Sequence, residues 1–140
     1  MPVRYLDTNP IIRLLTGDHP DHAAKARTMF ERAGRGEFTL YLPEATVVEV
    51  VNVLSSPRLY KLPRAEVAAK LTKLFTLPGL HVPRKTTYRR ALELWVQTPH
   101  VRDFADALHV AHMERLKIPT IASFDADFDR FPGITREEPS

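Results

Sequence analysis

Cysteine is absent from the 140-residue chain, so disulfides and thiolate metal sites are excluded. Glycine is scarce, at five residues, and neither a GxGxxG run nor a Walker pattern occurs. The two common phosphate-cradling loops are therefore missing, and no serine sits in a nucleophile-elbow motif. No apolar run approaches the ~20 residues that span a bilayer, which argues against a membrane partner. The N-terminus enters a strand-like run with no secretory apolar region ahead of it. Apolar residues make up 44%, as in a globular protein with a real core. The length suits one domain, expected to occupy residues 1–140, and the missing cysteines are compatible with a cytoplasmic protein.

Proline is abundant, at twelve residues, and falls mostly between periodic stretches. Val3 to Leu6 reads as a strand. Asn9 reads as the cap of a short helix opened by Pro10 and stopped by Gly17. Three-and-four spacing predicts helices around Ala23–Ala33, Ala45–Leu54, Val67–Phe75, Tyr88–Trp95 and Asp103–Leu116. Strands are expected at Phe38–Leu42, Leu80–Val82, Thr120–Ala122 and, at an edge, Phe131–Thr135. Such alternation implies an α/β fold with a parallel sheet and helices on both faces.

Net charge is only +3, yet it is unevenly spread. Residues 58–90 hold nine Lys or Arg and one acid, Glu66. That segment is read either as a solvated face or as a surface for a polyanion.

Four acids fall at predicted strand ends or helix starts. Asp7 follows the first strand, and Asn9 as cap leaves it without a local task. Glu49 lies between two valines on each side, sharing a helix face with Ala45 and Asn52. Asp106 follows Asp103 by three residues on one helix face. Asp125 and Asp127 follow the run Thr120–Phe124. Each has an ordinary reading as a cap, a surface position, a dipole partner or a turn. Gathered at one sheet rim, they would repel one another unless a divalent cation sat among them. His19 with His22, and His109 with His112, have an i, i+3 spacing that suits zinc, but no third ligand is placed.

Together these motifs resemble the PIN-domain ribonucleases, and within them the VapC-type toxins of toxin–antitoxin pairs. The resemblance covers nearly the whole chain. It rests on Tyr5-Leu6-Asp7-Thr8-Asn9, on Ala45–Leu54 around Glu49, on Asp103-Phe104-Ala105-Asp106-Ala107-Leu108, and on Ser123-Phe124-Asp125-Ala126-Asp127-Phe128. Glu44 competes with Glu49 but lies too near Pro43, and Asp125 and Asp127 remain interchangeable as the fourth acid.

The resemblance implies a three-layer α/β/α fold with a central, mainly parallel sheet of four to five strands. It implies an endoribonuclease dependent on Mg²⁺, or Mn²⁺ in its place. Catalysis would rest on Asp7, Glu49, Asp106 and Asp125. Asp7 and Asp106 would be the main metal ligands, with Glu49 and Asp125 direct or through water. Thr8, Asn9, Asp103, Ser123 and Asp127 would support them. Arg58, Lys61, Arg64, Arg84 and Lys85 would hold the RNA. A VapB-like antitoxin and a second copy of the chain are the implied partners, with the apolar helices at 45–54 and 67–75 as contact surfaces. Two rival readings exist. A response-regulator receiver would show an acid pair after strand 1, an Asp ending strand 3 and a Lys ending strand 5, whereas here strand 3 ends Val82-Pro83 and the last strand leads to Asp125. A non-catalytic PIN-like scaffold or RNA-binding module would have lost one or more of the four acids, all of which are present.

Overall fold

A computed structural model describes residues 2–140. The chain divides into two compact units, one ending at Pro83 and the other running from Arg84 to Ser140.

The first unit contains β1 (Val3–Tyr5), α1 (Thr8–Thr16), α2 (Pro20–Gly34), β2 (Thr39–Tyr41), α3 (Glu44–Ser55), α4 (Arg64–Leu74) and β3 (Leu80–His81). Its strands form a parallel sheet in the order β1-β2-β3, with Tyr5 opposite Tyr41 and Tyr41 opposite His81. Parallel neighbours need long crossovers, and the helix pairs α1–α2 and α3–α4 supply them. The core is largely aliphatic, with Leu6, Ile11, Leu40, Val47, Val51, Leu54 and Leu71 buried, and Phe38 and Phe75 are buried with them. The stripes Val47-Val51-Leu54 of α3 and Val67-Leu71-Leu74 of α4 are buried, so a partner at 45–54 and 67–75 would meet the other faces of these helices. The exposed face of α3 carries Ala45, Glu49 and Asn52.

Helix α1 starts earlier than its sequence suggests. Asp7, with φ −85° and ψ 173°, holds the cap position, and Asn9 is already helical. Pro10 sits at the third helical residue, where its missing N–H would have had no partner in the helix. Gly17 closes α1 at φ 65°, in the left-handed region glycine enters freely.

The second unit contains α5 (Lys85–Gln97), α6 (Phe104–Leu116), β4 (Thr120–Ala122), a 3₁₀ turn (Ala126–Arg130) and β5 (Thr135–Glu137). Strands β4 and β5 pair in parallel, Ile121 opposite Arg136. Helices α5 and α6 pack through Trp95 and Phe104, whose rings meet edge-on at 5.6 Å. The last strand begins at Thr135, where the sequence pattern predicts it to end. Phe131 instead packs its ring 6.3 Å from Phe128 at the end of the 3₁₀ turn, and Gly133 at φ 80° turns the chain before pairing starts. Among the described residues five strands form, in separate ladders of three and two, and every pairing is parallel, which is compatible with the expected parallel α/β fold. Among the described residues, no helix is long and apolar enough to cross a membrane.

Candidate metal centre

Three of the predicted acids come together in the second unit. One carboxylate oxygen each from Asp106, Asp125 and Asp127 lies within 4.8 Å of the others. Among the described residues this is the one group of His, Asp or Glu side chains arranged to hold an ion. Asp106 reaches it from the first turn of α6, half-buried. Asp125 and Asp127 come from the segment after β4, where side chains and backbone lock one another. Ser123 Oγ accepts from the Asp125 N–H at 2.9 Å, and Asp125 Oδ1 accepts from the Asp127 N–H at 2.9 Å. Ser123 thus shapes the turn that presents Asp125. Asp127 lies in the group as Asp125 does, so the two are neighbours in one cluster.

The cluster is electrostatically uncomfortable. Two unit charges about 5 Å apart repel by ~1 kcal/mol in water-like surroundings and several-fold more where water is excluded. Burial, followed by the negative charges of Asp125, Asp103 and Asp127, pushes the Asp106 carboxyl above its ordinary range, with His109 acting the other way. Asp103 caps α6 with no side-chain cap bond and acts here through its charge. An all-oxygen set of this kind suits a hard divalent cation, which would remove the repulsion.

Asp7 and Glu49 belong to the first unit. Asp7 occupies the cap of α1, yet its carboxylate makes no cap bond, so the ordinary explanation for an acid there does not apply. Beside it, Thr8 is buried and its hydroxyl has no hydrogen-bond partner. Such an orphaned group is costly and fits a position left for a ligand or water. Asn9 is exposed on the next helical position. Glu49 is exposed midway along α3. Thr46, one turn before it, donates its hydroxyl to the Leu6 carbonyl at 2.9 Å, tying the turn that leads to Glu49 to the strand end that leads to Asp7.

The basic positions divide. Arg58 is exposed, and Lys61 and Arg84 hold left-handed backbone at φ 52° and 62°. Lys85 opens α5. Arg64 and Lys85 are half-buried, and burial lowers the Arg64 guanidinium pKa. Among the described residues, neither histidine pair gathers a third ligand for zinc. The His22 N–H donates to His19 Nδ1 and the rings stack at 3.9 Å, while His112 Nδ1 lies 3.1 Å from Arg115 Nη2. Sequence reasoning overlooked a furrow between α1 and α2, lined by Arg13, His22 and Lys25. Its cations are scattered along the chain among acids, so no charge run marks it.

A family model described as PIN domain matches residues 4–134. That match runs through both compact units and nearly the whole chain. No curated protein matches the sequence.

Proposed function

This chain belongs to the PIN-domain family, a family of nucleases, and from that premise we propose that it is a divalent-metal-dependent endoribonuclease. The observation carrying the reading is the convergence of Asp106, Asp125 and Asp127 within 4.8 Å. Those three carboxylates are the proposed ligands, and Mg²⁺ is the proposed ion, with Mn²⁺ able to replace it. The chemistry such an ion supplies is activation of water and neutralisation of charge on a phosphodiester. Asp106 is the proposed anchor, since burial and then three acidic neighbours disfavour its charge in the absence of a cation. The Ser123-to-Asp125-to-Asp127 chain of hydrogen bonds keeps the other two carboxylates oriented without reorganisation. Cleavage is proposed to need Asp7 and Glu49 as well, with the Thr8 hydroxyl serving the Asp7 end. Arg58, Lys61, Arg84 and Lys85 are assigned to the RNA backbone.

The biological role proposed is that of the toxin in a toxin–antitoxin pair, acting as a homodimer, restrained by a VapB-like antitoxin and limiting translation or growth. A basic side chain of the antitoxin entering the acid cluster would take the place of the cation electrostatically.

Purified protein is expected to cleave single-stranded RNA with Mg²⁺ or Mn²⁺ and to stop in excess EDTA. Cleavage that persists in EDTA would contradict metal dependence. RNA binding without cleavage in either metal would match a non-catalytic scaffold instead. Mixing with the product of the neighbouring gene tests the toxin assignment, and undiminished cleavage at saturation would count against it.

A further inference from the structure

The first unit contains a cationic furrow that the acid cluster does not involve. A cavity of ≈ 280 Å³ lies between α1 and α2, lined by Asn9, Arg13, His22, Lys25 and Met29 among others. It continues through Lys25 and Met29 into a second depression of ≈ 390 Å³, where Arg4 and Arg32 join the lining. No carboxylate lines either part. His22, Lys25, Met29 and Arg32 share one face of α2, a run of ~15 Å at 1.5 Å per residue.

The cations differ in how they are held. Arg32 bonds Glu37 at 3.0 Å. Arg4 lies over the Phe38 ring at 3.9 Å. Arg13 uses one guanidinium nitrogen on Asp18 at 3.0 Å, while its buried Nε has no partner. Lys25 is exposed and forms no ion pair among the described residues, so its charge is free for a ligand. At one end the lining includes Asn9, two residues beyond Asp7.

We propose that this α1–α2 furrow is a second backbone-binding subsite, holding phosphates of a single-stranded polynucleotide with Lys25 as its principal free contact. The proposal rests on the nuclease reading for its choice of ligand. Without that reading, an acidic peptide is the other polyanion of suitable chemistry. The opening beside the start of α1 favours a strand that continues toward Asp7. Arg13, already held by Asp18, would act as a fixed wall of the furrow, and His22 and Lys25 would make the adjustable contacts.

The test measures binding of a fluorescein-labelled 12-nucleotide RNA in EDTA, where no cleavage interferes, over a salt series. Lys25→Gln is expected to weaken binding about three- to tenfold and to reduce the slope of log K against log salt by about 0.7, one phosphate's worth for a single strand. Lys25→Glu should weaken it further. Lys117→Gln, which removes the same charge in the other unit, should change little. Unchanged affinity and slope in both Lys25 variants would overturn the subsite even if the protein cleaves RNA normally. Lys25-dependent binding of RNA without any Mg²⁺-dependent cleavage would leave the subsite standing and refute the nuclease reading. Lys25-dependent binding of polyglutamate with none of RNA would overturn the proposal in favour of a peptide site.

Discussion

Thr46 donates its hydroxyl to the Leu6 carbonyl at 2.9 Å, in a setting where both residues are buried. This single bond links the end of β1 to the first turn of α3 and registers the helix of Glu49 against the strand end of Asp7. Thr46→Val keeps the shape and removes the donor, leaving the carbonyl without that partner. A loss of ~1–3 kcal/mol is expected, seen as a lower urea midpoint with an unchanged slope. Thr46→Ser retains the donor and should lose less. If both variants denature alike, the bond does not perform this task.

Asp18 closes the loop after α1 by accepting from Tyr60 at 2.5 Å, Thr16 at 2.8 Å and Arg13 at 3.0 Å. The Tyr60 hydrogen bond, then that of Thr16, takes its carboxyl from the ordinary 3.8 down to about 2. A depressed carboxyl stabilises the folded state above its unfolded value, and that contribution disappears as pH falls from 3.8 toward about 2. Tyr60→Phe should raise the Asp18 carboxyl titration toward the ordinary value and flatten the acid limb of stability across that window. A carbon-detected NMR titration of Asp18 measures the shift directly, and no movement in Tyr60→Phe would refute the assigned cause.

Gly79 shows a different constraint. Its φ is +79°, and an added Cβ would lie 2.2 Å from the Ala33 carbonyl oxygen at the end of α2. Gly79 also supplies the carbonyl that accepts the Leu40 N–H at 2.9 Å, so β3 pairs with β2 from this point. Gly79→Ala combines a strained backbone with an overpacked contact, and a loss of roughly 3 kcal/mol is expected. Gly133→Ala, at φ 80° but with open space around it, should cost less. Equal thermal midpoints for the two variants would contradict the close approach.

The helices were legible because their apolar residues recur at the right spacing. Val47, Val51 and Leu54 mark the buried side of α3, and Glu49 falls on the exposed side. Boundaries were less so. The cap of α1 falls on Asp7 because the chain is still extended there, which the better cap chemistry of Asn9 conceals. The relation of Asp125 to Asp127 depends on a 3₁₀ turn held by a hydrogen bond between them, and residue types alone do not specify it. The α1–α2 furrow was invisible for a related reason. The packing of α1 and α2 beside β1, not chain order, assembles Arg4, Arg13 and Lys25.

The central claim, that Asp106 anchors a catalytic metal, is tested most directly by Asp106→Asn, measured by RNA cleavage and by thermal melts with and without Mg²⁺. Neutralising Asp106 removes a charge that burial, and then the neighbouring carboxylates, disfavour. The metal-free variant should therefore be as stable as the parent or more so, by roughly 0.5 kcal/mol once solvent screening is allowed for. Stabilisation by Mg²⁺ should shrink, because a ligand is gone. Cleavage should fall by several orders of magnitude. Loss of cleavage together with reduced Mg²⁺ stabilisation is the predicted result. Full cleavage, or an undiminished Mg²⁺ shift, would contradict it.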